Sequence, residues 1–175
     1  FVNTTYAAKA DNALQLVGNE FSVRDGYSGY PCVVFADITS ISTPTSHASG
    51  TWVIQPTQTL IVNTVGAIIS GSSVTLPAGQ FYFTYTTPLK NSKSDTHTGV
   101  KSKLFNLAGS EFGYGQAVDM GDWQSKNLTG CGVIAGGDSY QVKTFMPEGS
   151  GFYRPVSGAS GDKMHTVISF WKIGE

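Results

Sequence analysis

Few side chains in this 175-residue chain could do chemistry, and their spacing decides most cases against it. His47, His97 and His165 each fall in a polar linker, where symmetry in an oligomer could multiply what one chain offers a transition metal. No two of them share a metal-ligand spacing, so no metal or other cofactor is assigned. Asp119 and Asp122 carry oxygens suited to calcium, but without the wider oxygen cluster that such a site needs. Asp95, Asp122 and Glu148 could converge as the paired carboxylates of glycoside cleavage, yet twelve acidic residues make accidental pairs common. The nearest approaches to a Gly-x-Ser-x-Gly nucleophile elbow, at 26–30 and 158–162, both lack the final glycine. Gly113-Tyr114-Gly115 lacks the third glycine and the strand–helix–strand setting of a dinucleotide site. The chain is therefore read as a binding protein and not as an enzyme.

Binding chemistry is better represented. Long polar linkers run over 41–50, 90–99, 120–126 and 147–165, the last far beyond hairpin length. Asp95, Trp123, Glu148, Tyr153 and Arg154 stand out in them as candidate receptor-binding residues. Trp123 and Tyr153 offer flat apolar faces suited to sugar rings, and Asp95, Glu148 and Arg154 make directional hydrogen bonds to hydroxyls. The plainer reading has the two rings plugging loop interiors and the carboxylates solvated.

The elements that must position these loops are strands. Runs at 32–40, 51–55, 59–65, 73–76, 80–87, 100–107, 112–119, 128–135, 139–146 and 166–173 are separated by Gly, Pro or Asn, with no amphipathic helix among them. That spacing predicts an all-β sandwich or barrel. Seven aromatic or β-branched residues run unbroken from Phe81 to Thr87, bulky on both faces. A sandwich covers only the inner face of such a strand, so the outer face needs a cover of its own, most simply another copy of the chain. The first 28 residues differ: Ala7, Ala10, Leu14 and Val17 have the spacing of a short helical seam. The Gly and Pro cluster of 26–31 then marks a boundary between a segment 1–28 and a head of 29–175.

Composition supports this. Charged residues are 13% of the chain, about half the usual share, which favours surface hidden in an oligomer. A formal charge of −1 excludes the basic stripe of a nucleic-acid binder. No apolar run approaches the length of a membrane span, and a start at Phe1 suggests a fragment or a processed product. Cys32 and Cys131 sit in strands and lack metal or redox spacing; buried free thiols are the preferred reading, with a disulfide as the alternative.

Four pieces of the head resemble the globular head of complement and the wider tumour-necrosis-factor-like jelly roll. Residues 77–83 are similar to that family's Pro-x-Gly-x-Tyr-x-Phe strand, with Pro77, Gly79 and Phe83 in place and Phe81 at the tyrosine. Residues 100–105 resemble its next strand, and 133–142 its Gly-Asp turn, here Gly137-Asp138, followed by an apolar strand. The closing run 166–173 resembles its Phe-x-Gly-Phe strand, with Val167 for the first Phe and Ser169 for the Gly. The opening phrase 4–14, with Ala8-Lys9-Ala10-Asp11, is similar to phrases in bacteriophage tail-fibre stalks.

The resemblance implies a TNF-like jelly-roll homotrimer with the aromatic strand near its axis. Phe81, Tyr82, Phe83, Tyr85 and Trp171 are then the interface candidates. Phe170 and Trp171 should point apart, one to the subunit core and one to the interface. If strands alternate up and down, the four polar linkers gather at the end distal to the stalk. Together the two resemblances imply a phage tail-fibre tip on the virion, binding a host-cell glycan or outer-membrane protein, with the rest of the fibre as partner and no nucleic acid. The alternatives are a tip depolymerase, and a secreted complement-like head in which the sequons at Asn3 and Asn127 would matter.

Overall fold

The computed structural model describes residues 15–17, 20–22, 31–39, 46–91, 98–121, 124–147, 151–152 and 163–175, and among these every regular element is a β-strand. The chain divides between Pro31 and Cys32 into two compact units. In the first, β1 (Gln15–Val17) and β2 (Glu20–Ser22) form an antiparallel hairpin with Val17 opposite Glu20. This corrects the helical seam: Val17 lies on a strand, and Ala7, Ala10 and Leu14 fall outside the described residues. Gly18-Asn19 between two short runs is itself a hairpin signal, and it outweighs a periodicity of only three turns.

The second unit holds β3 (Cys32–Thr39), β4 (Ser46–His47), β5 (Trp52–Ile54), β6 (Thr59–Asn63), β7 (Ile68–Ser70), β8 (Ser73–Thr75), β9 (Gln80–Asn91) and β10 (Thr98–Asn106). It continues with β11 (Glu111–Phe112), β12 (Tyr114–Gly115), β13 (Ala117–Met120), β14 (Ser125–Ala135), β15 (Ser139–Phe145), β16 (Gly151–Phe152) and β17 (Lys163–Gly174). Sheet I has the order β12-β14-β9-β17-β3-β6, with β16 pairing β9 and β4. Sheet II has the order β11-β10-β15-β8-β7, with β13 on β10 and β5 on β15. All pairings are antiparallel. The long strands β9, β10, β14, β15 and β17 fall alternately in sheets I and II, which is the winding of a jelly roll.

Two expected boundaries shift for local reasons. The run 112–119 is not one strand but three short ones, broken where Gly113 takes a positive φ of 64° that side-chain-bearing residues avoid. β9 continues through Pro88 to Asn91. The β17 ladder stops at Thr86, so by Pro88 that side of β9 has no β17 ladder bond to lose.

Along β9 the residues Phe81, Phe83, Tyr85, Thr87, Leu89 and Asn91 are buried, while those between them are exposed or half-buried. The inner rings form one packed array: Phe35 stacks on Phe170 at 6.1 Å and Phe83 on Tyr85 at 6.3 Å, while Phe83 and Phe170 meet tilted at 6.2 Å. A polar layer cuts the core in two. Thr87 follows Tyr85 of the large cluster and precedes Leu89 of a small one, which also holds Val100, Met120, Leu128 and Met146. Thr144 and Ser102 occupy the same divide on sheet II, between Val142 and Met146 and between Leu104 and Val100. Gln55, fully buried, ties the sheets there: its Nε2 donates to Thr144 Oγ1 at 2.7 Å, and its Oε1 accepts from Thr87 Oγ1 at 3.2 Å. Thr87 and Thr166 hydroxyls meet at 2.8 Å.

Truncating that side chain removes one hydrogen bond from each of two buried hydroxyls, Thr87 and Thr144. Gln55→Ala should lower the unfolding free energy in urea by about 1–3 kcal/mol.

Candidate functional site

Two surfaces are candidates: the outer face of sheet I and the end of the sandwich where the polar linkers emerge. The first follows from register. Val133, Tyr82, Trp171 and Cys32 form one row across β14, β9, β17 and β3. Cys131, Thr84, Ser169, Val34 and Val62 form the next, and Tyr114 on β12 pairs with Cys131. Thr129, Thr86 and Val167 form a third. None of these residues is charged, and Tyr82 is 39% exposed, Val133 58% and Tyr114 84%. Tyr82 and Trp171 stack with centroids 5.8 Å apart. Such a continuous uncharged patch is unusual on a surface that water alone covers.

A shallow depression of about 560 Å³ indents this face, lined by Tyr82, Thr84, Thr86, Tyr114, Gln116 and Cys131 among others. Its floor depends on two glycines facing each other, Gly115 and Gly130, with Tyr85 opposite Gly130. A Cβ on Gly130 would lie 2.3 Å from the Tyr85 ring, and one on Gly115 1.7 Å from the Ser102 carbonyl oxygen. The missing side chains let Tyr85 reach between the sheets and donate its hydroxyl to Ser102 Oγ at 3.1 Å. Burial pushes the Tyr85 hydroxyl from 10 up to about 12; the Ser102 hydrogen bond opposes that shift, and negative charge on Cys131 adds to it.

The second surface is visible through its roots. Gly50 N–H donates to the Met146 carbonyl, Asn91 N–H to that of Gln124, and Asn91 Nδ2 to that of Gly121. Gly151 pairs with both His47 and Asn91, and Thr98 with Met120. The described flanks of 41–50, 90–99, 120–126 and 147–165 thus meet at one end, above the small core cluster. Cys32, where the head begins, pairs with Trp171 near Gln80 and Gly174, at the other end.

Of the interface candidates, Phe81, Phe83 and Tyr85 face inward and are 0%, 0% and 3% exposed, so a single chain already encloses them. That corrects their assignment: inner positions of β9 fill the sandwich core, and only Tyr82 and Trp171 remain on the outside. Phe170 is the core member of its pair. Asp95, Trp123, Glu148, Tyr153 and Arg154 lie outside the described residues, as do His97 and Asp122. His165 is not a loop residue; β17 starts at Lys163, and His165 is buried on it. Both thiols are free, but neither is buried: Cys32 is half-buried and Cys131 exposed, because their strand positions face outward. Sequence reading missed Tyr114, Val133 and Cys131 as neighbours of Tyr82, although β14 alternates Thr129, Cys131 and Val133 against glycines and could have signalled it.

No family model matches the sequence, and no curated protein sequence is significantly similar. Among solved structures, the chain is similar to the globular domain of zebrafish complement 1qA protein, at 12% identity and a TM-score of 0.49, over 83% of this chain and 98% of that one. It is also similar to murine APRIL at pH 8.5, at 16% identity and a TM-score of 0.42, over 83% of this chain and 100% of that one. The strand order described above is, independently, the two-sheet jelly roll that the sequence resemblance implies.

Two measurements test this geometry. Phe83→Ala should cost about 3–5 kcal/mol of stability as a core cavity, whereas Tyr82→Ala, on the outer face, should leave the fold of a single chain nearly unchanged. Between pH 10 and about 12 the unfolded chain loses a tyrosine proton that folded Tyr85 keeps, so stability that is full below pH 10 falls as pH rises through this window. Tyr85→Phe should flatten that fall in denaturant midpoints measured against pH.

Proposed function

We propose that this chain is the head of a self-associating recognition protein that works outside cells. Three copies pack through the outer face of sheet I, and the loops at the end remote from Cys32 carry the ligand site. The observation that supports this most directly is the uncharged outer face around Tyr82, Trp171, Val133 and Tyr114. Fully burying one such side chain contributes roughly 1.5–3 kcal/mol, so a few per subunit suffice to hold an assembly. A closed cyclic arrangement also shields sheet edges from further pairing.

On the finer reading the head is the tip of a phage tail fibre. The stalk-like phrase at 4–14 supports it, as does the placement of Cys32 opposite the loop roots. Recognition of a host-cell glycan or outer-membrane protein is then binding without catalysis, carried by Asp95, Trp123, Glu148, Tyr153 and Arg154 on long loops held by a rigid sandwich.

Light scattering should give a mass about three times 18.6 kDa. Tyr82→Lys with Trp171→Lys should convert it to a folded monomer, because two buried ammonium groups would lack partners. A wild-type monomer would end the trimer proposal. Trp123→Ala with Tyr153→Ala should abolish adsorption to host cells with the trimer intact, and purified host polysaccharide should keep its chain length on incubation with the head. Unchanged adsorption would move recognition away from these loops, and shortened chains would make the protein a depolymerase.

A further inference from the structure

The solvent face of sheet II has a chemistry unlike that of sheet I. Register places Lys101 opposite Phe145, Lys103 opposite Lys143 and Phe105 opposite Gln141, and β5 adds Trp52 beside Phe145 and Ile54 beside Lys143. The intervening Ser102, Leu104, Val142 and Thr144 are buried toward the core, so three lysines and three rings share the outer side. Trp52 packs edge-on against Phe105 at 4.9 Å and tilted against Phe145 at 5.4 Å. Lys143 Nζ stands 4.8 Å from the Phe105 centroid, and Lys101 Nζ 5.2 Å from that of Phe145.

Like charges directly across an antiparallel pair repel, and Lys103 faces Lys143 in this way. Lys103 pairs with Glu111, and the Phe105 ring stabilises the Lys143 cation. Asp119 shares a depression of about 300 Å³ with Lys101. Three cations therefore meet two carboxylates, an excess of positive charge in a chain whose net charge is −1.

We propose that this face is a platform for an acidic carbohydrate, a saccharide bearing carboxylate or sulfate groups. An anionic group seated between Lys103 and Lys143 adds charge-assisted hydrogen bonds to the balance that Glu111 and the Phe105 ring begin. Ile54, 44% exposed, offers apolar surface to the C–H face of the same sugar. Alternate residues on a strand lie about 7 Å apart and cross-strand partners about 5 Å, so the lysines form a compact triangle suited to one or two anionic groups. A nucleic acid needs open rings for base stacking along a basic track; here the rings pack on one another and Phe105 is 5% exposed. The platform lies on the layer opposite the proposed assembly face and carries none of the loop residues, so it stands or falls independently of both.

The test is titration calorimetry of the intact head with polygalacturonate and dextran sulfate oligosaccharides, with neutral dextran and an oligothymidylate as comparison probes. At least one acidic saccharide should bind and neutral dextran should not, with affinity falling at high ionic strength. Lys103→Gln with Lys143→Gln should weaken binding by about tenfold or more, while Lys126→Gln leaves it unchanged. The charge-conserving Lys103→Arg with Lys143→Arg should retain binding, which separates lost charge from lost fold. Failure of both acidic saccharides to bind, undiminished binding in the glutamine pair, loss of binding in the arginine pair, or tighter binding of the oligothymidylate would each overturn the proposal.

Discussion

The register of β14 and β17 on β9 is the constraint on which everything else rests. Opposite Phe83 and Tyr85, β14 presents Gly132 and Gly130, so each large inner ring lies against a residue with no side chain. A Cβ on either glycine would fall 3.0 Å or less from the ring it faces. Slipping β14 by one residue would set Cys131 or Val133 against these rings and turn every side chain to the other face. On the other flank, Phe170 lies opposite Phe83 and Trp171 opposite Tyr82, so the same register sorts aromatics into an inner stack and an outer pair. One steric fit, ring over glycine, thereby decides both what the core contains and what the outside shows.

The buried polar layer divides that core by task. The large cluster, with Phe35, Phe81, Phe83 and Phe170, fills the end where the head begins; the small one, with Leu89, Val100, Met120, Leu128 and Met146, lies beneath the loop roots. Gln55, Thr87, Thr144 and Thr166 between them exchange hydrogen bonds across both sheets. Buried hydrogen bonds are directional where apolar contacts are not, so this layer holds the two sheets at one mutual offset. The loop end is thus carried on its own small core, locked to the larger one by geometry and not by bulk.

Much of the fold was legible in the sequence because strands announce themselves by local composition. Each of the ten expected runs contains a strand, and the two faces of β9 part as its alternation requires, with Phe81, Phe83 and Tyr85 inside and Tyr82 39% exposed outside. What was not legible was direction. Phe81, Tyr82 and Phe83 are chemically alike, and only pairing with Gly132 and Phe170 tells inside from outside. Gln55 reads as a surface residue until Thr87 and Thr144, remote in sequence, close around it. His165 reads as loop because the long polar stretch before it hides the start of β17. The five loop residues proposed for binding rest on chemistry alone, and sequence offers no contact that would fix them.

The two outer faces of one sandwich differ sharply in charge. Sheet I keeps its central rows free of charge, although lysines are near at hand in Lys90 and Lys126 at the loop end and Lys172 at the other. Sheet II puts three lysines among its rings and sets two of them directly opposite each other. Solubility alone would place charge on both faces; assembly alone would leave both apolar. Excluding charge from one face while concentrating it on the other fits a molecule that turns one surface to copies of itself and another to something anionic. That division follows from period-two alternation acting twice, once in each sheet.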